Sequence, residues 1–335
     1  MRNETRVVYN GLLAHIAKLN GVPSATESFN VTPSVQQKLE TAVQESDSFL
    51  QSINMFPVND QEGEAIGLGV NGPTASRTNT AGGNRRNPAS VAALTKDAYS
   101  CKKTDFDTAL PYVQLDAWAK FPDFQVRLAN VIAKRQGLDR IMIGFNGTSV
   151  ATATNRGTSP LLQDVNIGWL QKIRTNAPDR VIAEGATAGK VTVGAAGDYK
   201  TLDGLVFDAI QLLDPWHRKR SDLVVIVDRA LLHEKQLAAV EKGAASNQEE
   251  NAADEILTKG RLGGLKIEDA PFFIDGGVLI TSLSNLSIYW QESARRRHIK
   301  DEPEFDRIAD YQSSNDAYVI EDLGLVALVE NIERV

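Results

Sequence analysis

The chain has 335 residues, 42% of them hydrophobic, and a formal net charge of -7. That length predicts two domains, or one with large excursions, around a sizeable core. The acidic balance argues against a protein whose main business is gripping nucleic acid, and the single cysteine, Cys101, rules out an internal disulfide. MRNETRVVYN opens without an apolar run of signal-peptide length, and eighteen apolar residues never follow one another, so neither export by that route nor a membrane span is expected.

Glu4 to Leu19 reads as an amphipathic helix with Val8, Leu12, Ile16 and Leu19 on one face, ending at Asn20-Gly21. After a polar stretch to Asn30, Thr32-Pro33 offers an N-cap and a first-turn proline to a second helix carrying Val35, Leu39, Val43, Phe49 and Leu50. The pair reads either as an arm or as a helical hairpin of the fold. From Glu62 the pattern alternates through Ile66, Leu68 and Val70, and again through Phe106, Thr108, Leu110 and Tyr112, which predicts two strands paired as a long hairpin. The polar stretch Asn71 to Ser90 forms its tip and carries Arg85 and Arg86. Leu115 to Thr148 then spaces its apolar residues by three or four, predicting a spine helix that starts near Phe121 and stops at Gly144.

Beyond the spine, Leu161 to Arg174 reads as a helix and Arg180 to Val193 as a loop or weak hairpin. Thr201 caps a helix running to Leu213; Leu223 to Val227 is a buried strand, and Asp228 caps the helix after it. With a helical stretch from Asn251 to Thr258 and strands near Lys266 and Val278, these make a compact α/β subdomain. From Leu286 the pattern is mostly β, through Ile288, Trp290, Tyr318 to Glu321 and Leu325 to Ile332, predicting strands that return to the sheet beside the spine.

Gly67-Leu68-Gly69-Val70-Asn71-Gly72 satisfies a dinucleotide-binding spacing literally. That site needs the glycines to open a helix and an acidic residue about 20 positions on, and Pro73 to Lys96 contains no carboxylate, so glycines in a twisted strand are the better reading. His15, His217, His233 and His298 are scattered without zinc spacing, and no nucleophile elbow or phosphate loop occurs. Asp116 and Asp123 flank the start of the spine, where a helix dipole favours negative charge. Arg295-Arg296-Arg297-His298, followed by Asp301, Glu302, Glu304 and Asp306, reads as a solvated, self-compensating loop or as an intersubunit salt-bridge patch. No catalytic residue, cofactor site or metal site is expected, which points away from an enzyme.

Short blocks in order along most of the chain carry a family likeness. They include Met1-Arg2 with Glu4-Thr5-Arg6, Leu19-Asn20-Gly21, Gln44 to Leu50, Thr80-Ala81-Gly82-Gly83, Trp118-Ala119, Asp123-Phe124-Gln125, Gly144-Phe145-Asn146-Gly147, Gly168 to Lys172, Asp222 to Val227 and Asn285 to Tyr289. The chain resembles the major capsid proteins of the peduovirus group of contractile-tailed bacteriophages. The resemblance implies the α+β Hong Kong 97 capsid fold, with an N-terminal arm over 1–55, an extended hairpin loop over 56–114 and a peripheral domain with the spine over 115–200. An axial domain over 201–284 and returning peripheral strands over 285–335 complete it.

It also implies a shell that encloses double-stranded DNA without specific binding, built from pentamers and hexamers of this chain in the bacterial host cytoplasm, with no membrane involved. The implied partners are an internal scaffolding protein, a maturation protease, a portal protein and decoration proteins. The protease would remove the N-terminal segment close to Phe29 and Asn30. Arg85, Arg86, Arg295, Arg296 and Arg297 are the candidate intersubunit contacts. No lysine occurs from Asn71 to Thr95, so the shell is expected to close without a covalent cross-link. A cellular nanocompartment shell of the same fold is the rival reading, and a dinucleotide enzyme a remote one.

Overall fold

The computed structural model describes residues 1–70, 75, 77, 78, 80, 85, 92–118, 121, 123–232 and 260–335. Helix α1 (Asn3–Asn20) ends at Gly21, which takes the left-handed conformation (φ 65°) while the Val22 amide turns back to the Ala17 carbonyl. Strand β1 (Phe29–Asn30) leads to α2 (Pro33–Glu45), entered through Thr32 with Pro33 in its first turn. A short α3 (Ser48–Ser52) follows, capped by Asp47, whose carboxylate accepts from the Phe49 amide at 2.8 Å. Strand β2 (Asn54–Val58) precedes the hairpin β3 (Glu62–Val70) and β4 (Ala92–Ser100). Then come β5 (Lys102–Asp105), β6 (Thr108–Pro111) and α4 (Tyr112–Trp118).

The spine is α5 (Phe124–Asn146), about 35 Å long at 1.5 Å per residue. After it come α6 (Trp169–Asn176), β7 (Val181–Ile182), β8 (Val191–Val193) and α7 (Leu202–Ala209), whose cap Thr201 accepts from the Gly204 amide at 3.1 Å. Next are β9 (Val224–Val227), β10 (Arg261–Leu262), β11 (Leu265–Glu268) and β12 (Val278–Thr281). The chain closes with β13 (Leu286–Gln291), β14 (Arg296–Glu302), β15 (Arg307–Ile320), β16 (Ala327–Val329) and β17 (Ile332–Arg334).

Two sheets flank the spine's buried half. In the seven-stranded one the order is β1-β14-β15-β13-β2, with β5 and β6 also paired to β15. The other runs β10-β11-β9-β12-β16-β7. Its middle strands are apolar but for Thr281 because both faces are covered: Ile226, Leu279 and Leu328 point into the spine core, and their neighbours Val225, Val227, Val278, Ile280, Ala327 and Val329 into a second core under α7. In the spine core, Trp169 lies edge-on to Phe145 and Tyr318 at 5.3 and 5.4 Å between ring centres and donates its indole N–H to the Ser287 carbonyl at 3.0 Å.

Several elements depart from the sequence reading. The spine begins at Phe124 and runs through Gly144 to Asn146, because Gly144 serves as a contact point: a Cβ there would lie 2.2 Å from the Trp169 ring. The partner of β3 is β4, while Thr108 to Pro111 pair with β15. Residues 161–168 form turns, so the helix expected from Leu161 starts only at Trp169. Strands β7 and β8 form no hairpin; each runs parallel to a C-terminal strand, β16 and β17 respectively. Consequently β16 joins the sheet of β9 and β12, away from β13 and β15. The helix expected over 251–258 lies outside the described residues.

Candidate processing segment and contact surfaces

Residues 1–31 dock on the body as an N-terminal segment. Tyr9, Ile16 and Ala17 of α1, with Ala25, Phe29 and Val31, pack on Tyr112 and Leu115 of α4, Ile299 of β14 and Ile308 of β15. Polar contacts at the rim fix the register: the Arg2 amide donates to Asp116 at 3.0 Å, and Arg6 pairs with Asp301 at 2.5 Å while the Tyr112 hydroxyl donates to the same carboxylate. Although partial burial opposes ionisation of Asp301, those two donors outweigh it and hold its carboxyl below its ordinary range. Asn20 ties the C-terminal end of α1 to the start of α2, donating to the Ile16 carbonyl at 2.9 Å and accepting from the Thr32 amide at 3.3 Å.

The segment from Ala25 to Val31 lies along the edge of β14. The Ile299 amide donates to the Ala25 carbonyl at 3.1 Å, Phe29 and Asn30 register with Arg297 and Arg296, and the Val31 amide donates to the Arg295 carbonyl at 2.9 Å. His298 reaches the Thr26 carbonyl at 3.0 Å. Phe29 is only 8% exposed, whereas Asn30 faces solvent. Beside α1 an apolar groove of about 260 Å³ is lined by Tyr9, Leu12, Leu115, Trp118, Leu128 and Ile308. Burial there pushes the Tyr9 hydroxyl up to about 12, and it has no hydrogen-bond partner among the described residues.

The second helix is held differently. Glu40 of α2 is buried between Arg140 of the spine, which grips it with two nitrogens, and Arg295, at 2.6 Å. Arg140 also pairs with Asp316 of β15 at 3.0 Å and stacks over the Phe106 ring at 5.6 Å. Gln136 and Gln312 complete the cluster, accepting from Arg295 at 2.7 and 3.0 Å. Two cations thus meet two anions, all nearly inaccessible, so the group is neutral as a whole. Burial disfavours the charge on Glu40, but the two guanidinium groups and their hydrogen bonds prevail and lower its carboxyl below its ordinary range.

This cluster corrects the reading of the basic run. Residues 296–302 are a strand, so successive side chains point to opposite faces. Arg295, just before it, is turned inward and 2% exposed, and its pairing lies wholly inside the chain, which removes it from the candidate intersubunit contacts. Arg297 is largely engaged with Asp310, making two bonds at 3.0 and 2.7 Å. Arg296 is exposed, as is Arg85, and Arg86 lies outside the described residues.

Nothing in the sequence named Glu40 or Arg140. The available signal was spacing: Gln36, Glu40 and Val43 share the buried face of α2, and Arg140 lies between Gln136 and Gly144 on the face of the spine that receives it. Asp116 and Asp123, read as dipole partners, also bind donors: Asp116 takes the Arg2 amide, and Asp123 pairs with Arg127 at 2.7 Å. The glycine pattern at 67–69 lies inside β3, with Gly67 and Gly69 opposite Thr95 and Ala93, which is incompatible with a strand-to-helix phosphate turn. Among the described residues no cluster could hold a metal ion, and no helix is long and apolar enough to cross a membrane.

Exposed large apolar side chains occur on and near α4 and the outer half of the spine, at Val113, Trp118, Phe121, Val126 and Val131, and of these Trp118, Phe121 and Val131 line one concavity.

Comparison with known proteins places these features in a family context. Residues 8–332 match the family model described as phage major capsid protein, P2 family. The chain is 45% identical to the capsid protein of Escherichia phage P2 over 342 residues, covering 99% of this chain and 96% of that one. It is 43% identical to the major capsid protein of Serratia phage KSP20, covering 99% and 97%. Among solved structures it is similar to a chain of the satellite phage P4 procapsid that includes the size determination (Sid) protein. There the TM-score is 0.83 at 42% identity, with 100% of this chain and 99% of that one covered.

Proposed function

The chain belongs to the P2 family of phage major capsid proteins, and from that premise we propose how its parts serve assembly and maturation. It has the α+β Hong Kong 97 fold, and its copies build the icosahedral shell of a phage particle. In our reading, shells assemble in the host cytoplasm as procapsids around an internal scaffolding protein, with a portal, and a phage protease then removes the leader close to Phe29 and Asn30. The finished shell holds double-stranded DNA behind an acidic wall that repels more than it binds it. Many modest contacts, repeated by symmetry, make the closed shell hard to open at any one of them.

One observation carries the processing reading: the two helices of the arm are attached by different physics. Helix α1 rests on an apolar face with a partly exposed ion pair, Arg6 with Asp301, at its rim, whereas α2 is fastened through buried Glu40. A cut near Phe29 separates a detachable element from a permanent one. The domain division that follows has the arm over 1–55, the extended loop over 56–114 with its β2, β5 and β6 anchored in the sheet of β13 and β15, the spine domain over 115–200 and 285–335, and the axial domain over 201–284, with β7 and β16 extending the axial sheet. Arg85, Arg86, Arg296 and the exposed apolar cluster of Trp118, Phe121 and Val131 are the contact candidates, with Arg297 able to contribute only beyond its bonds to Asp310.

Co-expression with the phage's scaffold and protease tests the processing step. A new N-terminus within two or three residues of Phe29 is expected, and particles that keep Met1 would overturn it.

A further inference from the structure

We propose that the docked leader shields its own cleavage segment, so that the bond near Phe29 can be cut only after residues 25–31 leave the edge of β14. This rests on the reading that processing occurs there. Proteases take their substrates as extended chains, held by backbone hydrogen bonds as an added strand would be. In this structure those backbone groups are already engaged. The Ala25 carbonyl and Val31 amide are bonded to β14 and the residue before it, the Thr26 carbonyl to His298, and the pair Phe29–Asn30 forms a ladder with Arg297 and Arg296. The Phe29 side chain is packed in the core beneath α1. Strand β14 therefore competes with any protease for the same peptide.

Cleavage is hydrolysis of one peptide bond: water gives its hydroxyl to the Phe29 carbonyl carbon and a proton to the departing Asn30 amine. It proceeds through local opening, and when opening is fast relative to cutting its rate follows the population of the open form. Besides the local bonds to β14, contacts far from the bond set this population. Arg6 pairs with Asp301, and Tyr9 fills the apolar face about 20 residues upstream of the cut. Loosening α1 thus accelerates a reaction whose bond it never touches, and conditions that pull α1 from the body during shell assembly would license the cut.

Chymotrypsin, which cuts after aromatic residues, is the probe, acting on the full-length chain and on a synthetic peptide of residues 22–36. Cleavage after Phe29 in the intact chain should be more than about a hundredfold slower than in the peptide. Arg6→Ala should speed it about two- to fivefold, and Tyr9→Ala by up to about a hundredfold. Hydrogen exchange at the Val31 amide, measured on the same samples, should rise by the same factors. Cleavage of the native chain at the peptide's rate would overturn the proposal. So would variants that free the Val31 amide without faster cutting. Because chymotrypsin stands in for the phage enzyme, failure here leaves the processing site untouched, and N-terminal mapping of co-expressed particles tests that site separately.

Discussion

Glu40 is the residue whose loss the fold can least accommodate. It is the shared partner of two buried guanidinium groups, so Glu40→Ala leaves Arg140 and Arg295 short of one negative charge in a site without water access. A loss of about 3–5 kcal/mol is expected, read from the midpoint of denaturant unfolding. Acid should act through the same side chain. Its folded carboxyl is lower than in the unfolded chain, so its contribution is complete above the ordinary carboxylate range and disappears as pH falls through the folded value. The melting temperature is therefore expected to hold from neutral pH down to about 5 and to fall below about 4, with a shallower fall in Glu40→Gln. If the two proteins lost stability in parallel, Glu40 would not be the group responsible. The basic run shows why such residues were hard to read: four consecutive cationic or titratable side chains carry no hydropathy contrast, so the strand period that sends Arg295 inward and Arg296 outward left no trace.

At the scale of elements, the spine was legible as a long helix but its ends were not. Gly144 looks like a stop because glycine usually ends helices, yet here it lets the Trp169 ring lie against the backbone. Gly137 is used likewise, with a Cβ there falling 2.7 Å from the Ser46 hydroxyl where the turn between α2 and α3 crosses. Helix propensity alone would make Gly144→Ala stabilising by up to about 1 kcal/mol. The structure predicts the opposite sign, a loss of about 1–3 kcal/mol in thermal or denaturant unfolding, because the indole is fixed by its bond to Ser287. The hairpin was half legible. Alternation identified β3, but Ala92 to Ser100 has no clear alternation, and the cleaner pattern at Thr108 to Tyr112 attracted the pairing that β4 actually makes.

Across the whole molecule, the order of α-helical arm, hairpin, spine and mixed subdomain could be read in advance because each has its own periodicity. The crossing of the last strands could not, since β16 and β13 both bury apolar residues and only three-dimensional packing assigns them to different sheets. The arrangement leaves the spine core and the axial core complete without α1. A chain beginning at Val31 is therefore expected to stay folded and to unfold cooperatively, while exposing Tyr112, Leu115, Ile299 and Ile308 to a hydrophobic dye that the full chain excludes. A truncated chain that is unfolded, or that binds no more dye than the full chain, would contradict this division of the arm.

In the proposed life of the protein, the chain closes into shells and then sheds its leader. Cryo-electron microscopy of particles made with scaffold, with and without the protease, tests it most directly. Closed icosahedral shells of pentamers and hexamers are predicted, with density for α1 over α4 and β14 before processing and none after it. Small discrete oligomers under every condition, or processed shells that retain α1 in place, would contradict it.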